Sequence, residues 1–199
     1  MNRLGLFGGR FDPVHRAHMA MARAAADALD LQEVRWIVSG DPEHKPAVAP
    51  AADRLEMTRL AVQEMRDSRM QVDDREVRAA QQGGSNYTAD TIMGLQRELP
   101  GPSLVWILGG DQLADFMSWS RWEWLVGQMA IAVCARPGSE VATAEQAIMA
   151  RGGRVHRIAM ARDDVSSTAI RKAIAQKESI AGLVPPPVLD YIVNHHLYH

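Results

Sequence analysis

Short apolar runs alternate along the chain with longer segments in which apolar residues recur every three or four positions. The apolar runs predict buried strands, and they cover residues 4–7, 34–38, 104–108, 130–135 and 155–158. The segments with the longer period predict helices, at residues 18–29, 53–66, 88–98, 112–116, 121–125, 143–151, 167–176 and after residues 185–187. Asp53 is the predicted N-cap of the second helix.

Strands that alternate with helices predict βαβ units. We therefore expect an α/β protein with a parallel sheet flanked by helices, and ligands beyond the carboxyl ends of its strands. No repeat, low-complexity stretch or linker interrupts the chain, which predicts one domain over residues 1–199 whose last part, from about residue 165, is helical. Residues 39–50 form the longest irregular stretch after a predicted strand, and we expect this loop to close on a ligand.

Composition narrows the class of protein. The 199 residues are 47% hydrophobic and 23% charged, with a net charge of −2. This balance is typical of a globular protein and argues against a nucleic-acid coat or a polybasic membrane binder. No apolar stretch is long enough for a membrane span and no secretory leader is recognisable, so a cytoplasmic protein is expected. The single cysteine, Cys134, lies in an apolar run and is expected to be a small buried hydrophobe.

The densest cluster of chemistry-bearing residues lies between the first strand and the first helix, at residues 8–18. Gly8 and Gly9 allow the backbone to approach a phosphate closely, and the following helix offers free N–H groups to an anion. His15 and His18 are three residues apart and can point at one ligand. Neither a dinucleotide fingerprint nor a P-loop is present. This arrangement indicates a phosphate-binding site. Two other interpretations stay open: a glycine turn followed by two solvated histidines, and a metal site that uses those histidines as ligands.

A second candidate segment, residues 165–171, reads Val-Ser-Ser-Thr-Ala-Ile-Arg. Serine and threonine before a helical pattern predict an N-cap, and the simplest interpretation stops there. The same hydroxyl and N–H groups can bind phosphate oxygens. Arg171 follows Ser167 by four residues, so both lie on one side of the helix, where a guanidinium can hold a polyphosphate.

Together these segments resemble the two signatures of the His-x-Gly-His nucleotidylyltransferases, Gly-Gly-x-Phe-Asp-Pro-x-His-x-Gly-His and Ile-Ser-Ser-Thr-x-Ile-Arg. Further segments are similar to the bacterial nicotinate-nucleotide adenylyltransferase family within that group. They are residues 85–91, 107–111, 116–119, 136–138, 184–185 and 188–198. The resemblance covers essentially the whole chain.

The resemblance implies a Rossmann-like α/β nucleotidylyltransferase fold that transfers AMP from ATP to nicotinate mononucleotide in NAD biosynthesis. The products are nicotinate adenine dinucleotide (deamido-NAD) and pyrophosphate. Mg²⁺ is expected to arrive on the ATP phosphates, with no metal held by the protein itself. Neither nucleic acid nor a membrane is an expected partner, and the resemblance leaves a homo-oligomer open.

The resemblance also implies roles for individual residues. The catalytic set comprises His15, His18, Lys45 and Arg171, where Lys45 is otherwise simply a solvated loop lysine. The set that binds ATP and its phosphates comprises Gly8, Gly9, Arg10, Phe11, Gly109, Asp111, Ser167 and Thr168. The set that binds nicotinate mononucleotide comprises Tyr87, Thr88, Trp119 and Arg136. In this last set Trp119 stacks on the ring, and N–H groups at Tyr87 and Thr88 receive the carboxylate.

Two positions depart from the family pattern, and three alternatives stay open. Ala17 replaces the glycine between the two histidines, and Arg10 replaces a small hydroxyl residue. We expect Arg10 either to contact phosphate or to cover the empty site. The alternatives are a sister adenylyltransferase acting on nicotinamide mononucleotide, one acting on phosphopantetheine, and a non-catalytic sensor of adenine nucleotides.

Overall fold

Six parallel strands form one sheet with the order β3-β2-β1-β4-β5-β6. In the computed structural model, which describes residues 2–40, 48–84, 86–134, 141–161 and 163–199, the strands are β1 (Arg3–Gly9), β2 (Glu33–Val38), β3 (Met70–Asp73), β4 (Ser103–Gly109), β5 (Met129–Cys134) and β6 (Arg154–Arg157). The order starts in the middle and runs outward in both directions, as in a doubly wound sheet. The predicted α/β class is confirmed.

Helices connect the strands. They are α1 (Arg16–Ala28), α2 (Ala51–Met65), α3 (Arg75–Gln81), α4 (Thr88–Glu98), α5 (Gly110–Ala114), α6 (Trp122–Gln128), α7 (Ala142–Ala150), α8 (Ser167–Ala175) and α9 (Pro186–Asn194). A single 3₁₀ turn, Phe116–Ser118, follows α5. None of the helices in the described ranges is long and apolar enough to cross a membrane.

The chain divides into two compact units, which are described in turn. The first comprises Met1–Gly8, Met21–Arg35 and Tyr87–Arg162, and the second comprises Gly9–Ala20, Trp36–Asn86 and Asp163–His199. The prediction of one domain over residues 1–199 stays a prediction.

The core of the first unit is built on β4 and its two neighbours. Leu4 of β1 is in register with Leu104, and Leu108 of β4 is in register with Val133 of β5. All six residues of β5 are buried, including Cys134, whose burial raises the pKa of the thiol to about 12. The expected role of Cys134 as a buried hydrophobe is confirmed, because a thiol in such surroundings stays protonated and unreactive.

The core of the second unit lies between α2 and α9. Met57 and Ala61 of α2 and Val188 and Ile192 of α9 are buried, and the hydroxyl of Tyr191 donates a hydrogen bond to Asp53 at 2.9 Å. Helix α2 begins two residues earlier than predicted, so Asp53 lies inside the helix and is not its N-cap. Pro50 occupies the N-cap position and provides no side-chain cap.

Two elements of the second unit were not predicted. Strand β3 has only four residues, and its sequence Met-Gln-Val-Asp offers too few alternations to be distinguished from a loop. Helix α3 has seven residues, is rich in charged and small side chains, and buries only Glu76 and Val77. Neither segment contains an apolar run or a clear periodic pattern.

Gly40, after β2, has no room for a side chain. A Cβ added there would collide with the carbonyl oxygen of Glu76 and lie 2.6 Å from the Cβ of Ala80. The obstacle is helix backbone, which cannot move aside cheaply. We expect Gly40→Ala to lower the free energy of unfolding by about 1–3 kcal/mol, measured by urea denaturation.

Gly127 provides the matched control. It lies in α6, and an added Cβ would meet nothing within 4 Å. Gly127→Ala should raise the free energy of unfolding by about 0.5–1 kcal/mol, since alanine is the better helix former. Equal effects of the two substitutions would contradict the packing described at Gly40.

Candidate active site

The loop after β1 lies in the second unit and contains the buried residues Phe11 and Asp12. Residues 9–12, which the sequence predicts to bind phosphate, are called the phosphate loop below. Phe11 has a left-handed backbone with φ of +49°, and its ring lies across Gly9, where an added Cβ would be 2.9 Å from Cζ. The centroid of the Phe11 ring lies 5.1 Å from that of His18, in an edge-to-face arrangement, and 5.4 Å from that of Trp36, at a tilted angle. Gly9 is thus required because an aromatic ring covers it.

His15 and His18 form a stacked pair beside this loop. Their ring centroids are 3.7 Å apart, and the backbone N–H of His15 donates a hydrogen bond to Nδ1 of His18 at 3.2 Å. In the neutral imidazole the proton therefore lies on Nε2 of His18. His15 is only 5% exposed, which excludes the interpretation of two solvated histidines in a plain turn.

Both imidazoles are neutral at pH 7. Burial lowers the pKa of His15 to about 4, against the opposing charge of Asp163. Burial, and then the neighbouring His15, lower the pKa of His18 well below its usual 6.5. The pair therefore offers hydrogen-bond donors and acceptors to a ligand, while the formal positive charge has to come from other residues.

Asp12 anchors the phosphate loop. Its side chain is 1% exposed, and its carboxylate accepts hydrogen bonds from the N–H groups of Val48 at 2.8 Å and Ala49 at 3.1 Å. The sequence singled out Gly8–Phe11 and the histidines but assigned no role to Asp12. Its partners lie more than 30 residues away, so no local spacing could reveal them.

Arg54 was also missed. Its guanidinium, on a side chain that is 1% exposed, donates to three carbonyl oxygens, those of Arg10 at 2.8 Å, Gly40 at 2.7 Å and Ala49 at 3.1 Å. These carbonyls belong to the phosphate loop and to the chain on either side of residues 41–47. Asp12 and Arg54 thus hold the same segments together, one through N–H groups and the other through carbonyls.

Helix α8 brings the second predicted segment to the phosphate loop. Ser166 is its N-cap and accepts a hydrogen bond from the N–H of Ala169 at 3.2 Å. Ser167 Oγ donates to the carbonyl of Pro13 at 2.9 Å, and Arg171 Nη1 donates to the carbonyl of Asp12 at 2.7 Å. Both predicted residues therefore lie on one side of α8, against the turn that precedes the histidines.

Two cations flank this turn. Arg171 also donates through Nη2 to Thr168 Oγ1 at 3.3 Å. The pKa of Arg10 is lowered, first by burial and then by Arg171, although Asp12 opposes the shift. Arginine remains charged despite such a shift. The backbone of Arg10 is held by Arg54, so its position is fixed even though its identity departs from the family pattern.

The first unit holds most of the remaining predicted residues. Gly8 lies against the Trp106 ring, and the N–H of Gly109 donates to Gln112 Oε1 at 3.2 Å. Asp111 is exposed in the first turn of α5. Trp119 is half-buried. Its ring centroid lies 5.1 Å from that of Phe116 and 6.1 Å from that of Trp106, whose ring is nearly perpendicular to it.

Tyr87 and Thr88 lie at the start of α4. Tyr87 occupies the N-cap position, but its side chain caps no N–H group. Its carbonyl accepts hydrogen bonds from the N–H groups of Asp90 and Thr91. Tyr87 thus begins the helix through its carbonyl, and the binding role predicted for Tyr87 and Thr88 stays a prediction.

Two predicted residues, Lys45 and Arg136, lie outside the described residues, as does most of the predicted loop 39–50. Within the ranges that the structure describes, no three histidine, cysteine, aspartate or glutamate side chains form a group that could hold a metal ion. The interpretation of His15 and His18 as part of a metal site therefore finds no further ligands there.

Comparisons with known proteins agree on one family. The cytidylyltransferase-like family model matches residues 6–173. A protein of Laribacter hongkongensis, named "Probable nicotinate-nucleotide adenylyltransferase", is 40% identical over 98% of this chain and 94% of its own length. A protein of the same name from Bordetella petrii is 41% identical over the full length of both chains.

A solved structure has the same fold. It is the nicotinic acid mononucleotide adenylyltransferase of Plasmodium falciparum complexed with NaAD, which covers all of this chain and 98% of its own with a TM-score of 0.83. Its sequence is only 20% identical, so this likeness concerns the fold.

The neutral state of His15 has a consequence for stability. In the unfolded chain the imidazole takes up its proton near pH 6.5, whereas in the folded protein it does so near pH 4. Between these values the unfolded state binds more protons, so the free energy of unfolding should fall as the pH is lowered from about 6.5 to 4. Urea denaturation at pH 7 and pH 5 measures this fall, and His15→Asn should make it shallower.

The same prediction can be checked at the residue itself. The imidazole protons of His15, followed by NMR, should shift with a midpoint near pH 4. A midpoint near 6.5 would show that burial does not control this ring.

Proposed function

Because this chain belongs to the nicotinate-nucleotide adenylyltransferase family, we propose that it transfers the AMP group of ATP to nicotinate mononucleotide. The 5′-phosphate of the acceptor attacks the α-phosphate of ATP and forms nicotinate adenine dinucleotide. Pyrophosphate leaves with the electrons of the broken phosphoanhydride bond. The acceptor supplies the nucleophile, so the protein needs to position the two phosphates and stabilise their charge rather than form a covalent intermediate.

The convergence of His15, His18 and Arg171 on one turn carries the proposal. The histidine pair follows the phosphate loop directly, and Arg171 is bound to that loop through the carbonyl of Asp12. Neutral imidazole N–H groups and a guanidinium together form a donor set suited to a polyphosphate. The two signatures are some 150 residues apart in the sequence, and their meeting in one compact unit supports a shared role.

In the proposed reaction each group has a separate task. Nε2–H of His18 donates to an oxygen on the α- or β-phosphate, where charge grows as the bond breaks. Arg171, with Ser167 and Thr168 on the same helix, holds the leaving pyrophosphate. Mg²⁺ enters as part of the substrate, bound to the ATP phosphates. Lys45 is proposed as a further cation toward the same phosphates.

The acceptor is proposed to bind through residues of the first unit. Trp119 presents an aromatic face to the nicotinate ring, and N–H groups at the start of α4, next to Tyr87 and Thr88, receive its carboxylate. Arg136 belongs to the same proposed set. Gly109 and Asp111, at the carboxyl end of β4, are proposed to contact the ATP ribose or a Mg²⁺-bound water.

The reaction is tested by incubating the protein with ATP, Mg²⁺ and nicotinate mononucleotide and measuring pyrophosphate. We expect product with the nicotinate acceptor and much less with nicotinamide mononucleotide, whose amide cannot replace the carboxylate. Product with the amide alone would refute the acceptor assignment. ATP binding without any pyrophosphate would refute catalysis and favour a nucleotide sensor.

His18→Asn separates the role of the ring from its structural contact. An asparagine Oδ1 can still accept the hydrogen bond from the N–H of His15, but it cannot replace Nε2–H. Removal of one donor to developing charge should lower kcat by about 100-fold. His196→Asn is the control, because His196 is exposed and its left-handed backbone, with φ of +51°, suits asparagine. An unchanged kcat in His18→Asn would contradict the proposed role.

Trp119→Leu tests recognition of the acceptor ring. Loss of stacking should raise the KM for nicotinate mononucleotide by about tenfold or more, with little change in the KM for ATP. Trp124→Leu, also a half-buried tryptophan of the first unit, should leave both constants near those of the wild type. Equal increases in both KM values for Trp119→Leu would indicate a packing role instead.

A further inference from the structure

Tyr198 contacts the phosphate loop from the other end of the sequence. Its hydroxyl donates a hydrogen bond to Oδ1 of Asp12 at 2.8 Å, across 186 positions of the sequence. The residue is half-buried and has a left-handed backbone, with φ of +68°. A bulky residue rarely adopts this conformation, which persists only where the surroundings enforce it.

The path from α9 to Tyr198 shows how that conformation is enforced. The N–H of His196 donates to the carbonyl of Val193 at 3.2 Å, and the N–H of Leu197 donates to that of Ile192 at 3.1 Å. His196 is also left-handed. The chain therefore turns back at the end of α9, a helix that is fixed on α2 by buried Val188 and Ile192, and this turn presents Tyr198 to Asp12.

The carboxylate of Asp12 accepts hydrogen bonds from three donors, one of which is the hydroxyl of Tyr198. Oδ1 of Asp12 accepts from Tyr198 and from the N–H of Ala49, and Oδ2 accepts from the N–H of Val48. Arg171 Nη1 lies 3.9 Å from Oδ2, beyond hydrogen-bond distance, and donates instead to the carbonyl oxygen of Asp12 at 2.7 Å. The phenol and the two N–H groups thus donate to carboxylate oxygens of Asp12 that would otherwise accept hydrogen bonds from the guanidinium of Arg171.

We propose that Tyr198 is a positioning residue for adenylyl transfer: by holding the Asp12 carboxylate, it leaves the guanidinium of Arg171 available to the polyphosphate instead of paired with that carboxylate. This inference rests on the proposed function for the identity of the polyphosphate. Without the phenol, Oδ1 of Asp12 loses one of its donors, and Arg171, whose Nη1 lies 3.9 Å from Oδ2, is close enough to turn toward the carboxylate. A guanidinium paired with Asp12 binds ATP less tightly.

The phenol of Tyr198 does not lose its proton in the working pH range. Burial, followed by the charge and hydrogen bond of Asp12, raises the pKa of Tyr198 well above its usual value, against the opposing charges of Arg171 and Arg54. The phenol therefore stays protonated and continues to donate. The shape of the pH profile should be the same in the wild type and in Tyr198→Phe.

Tyr198→Phe is the central experiment, and Tyr191→Phe is its matched control. Both tyrosines belong to α9 or the turn after it, and both donate a hydroxyl to a carboxylate, but Tyr191 contacts Asp53 rather than the phosphate loop. We expect Tyr198→Phe to raise the KM for ATP by about tenfold, the equivalent of a hydrogen bond to a charged group, with kcat changed less than about threefold. Tyr191→Phe should lower only the melting temperature.

A second variant tests whether the effect passes through Arg171. In an Arg171→Lys background, where the planar guanidinium is absent, adding Tyr198→Phe should change the KM for ATP by less than about twofold. Full additivity of the two substitutions would overturn the inference. So would a Tyr198→Phe variant that, like Tyr191→Phe, loses thermal stability without any change in KM.

Binding of α,β-methylene ATP, measured by calorimetry, keeps this test separate from catalysis. The dissociation constant should rise by about tenfold in Tyr198→Phe and stay unchanged in Tyr191→Phe. If the wild type released no pyrophosphate, the proposed function would fail while this comparison still decided the role of Tyr198. Equal dissociation constants for the wild type and Tyr198→Phe would overturn the inference alone.

Discussion

Two buried side chains of opposite charge, Asp12 and Arg54, hold the irregular backbone of the second unit in place. The phosphate loop and the chain around residues 40 and 48–49 lie outside the helices, so their N–H and C=O groups lack the partners that a regular helix would provide. Buried backbone groups without partners are costly. Asp12 satisfies the N–H groups of Val48 and Ala49, while Arg54 satisfies three carbonyls. These contacts fix the backbone of the phosphate loop, which the histidine pair follows in the sequence.

Burial also determines which residues carry charge. His15 and His18 are stacked and desolvated, so the folded protein keeps both rings neutral at pH 7. Without a ligand, the positive charge beside the loop is carried by arginines, among them Arg171, Arg10 and Arg54. A polyphosphate placed there would favour the protonated imidazoles and raise their pKa again. Under the proposed function, the charge of the histidines would therefore depend on the ligand, whereas the guanidiniums are charged without it.

The sequence predicts the features that have local signals and misses those that depend on distant partners. The glycine pair, the two histidines, and Ser167 with Arg171 are singled out by their spacing. The structure stacks the two histidines and places Ser167 and Arg171 on one side of α8, whereas an aromatic ring covers Gly9. Asp12, Arg54 and Tyr198 give no such signal, because their partners lie up to 186 positions away. The N-cap assigned to Asp53 is wrong for a related reason, since a local rule was applied to a carboxylate that a distant tyrosine hydroxyl engages.

The preference for arginine in this chain, which has only three lysines among its 22 basic residues, is consistent with the same constraint. Arg54 reaches three carbonyls from three nitrogens of one planar group, and Arg171 reaches a carbonyl and a hydroxyl from two. An ammonium concentrates its donors at one point and cannot span acceptors on separate chain segments. Because a buried cation is tolerated only when most of its donors are satisfied, lysine is a poor replacement at position 54. The net charge of −2 therefore says little about this region, where a few guanidinium groups concentrate positive charge.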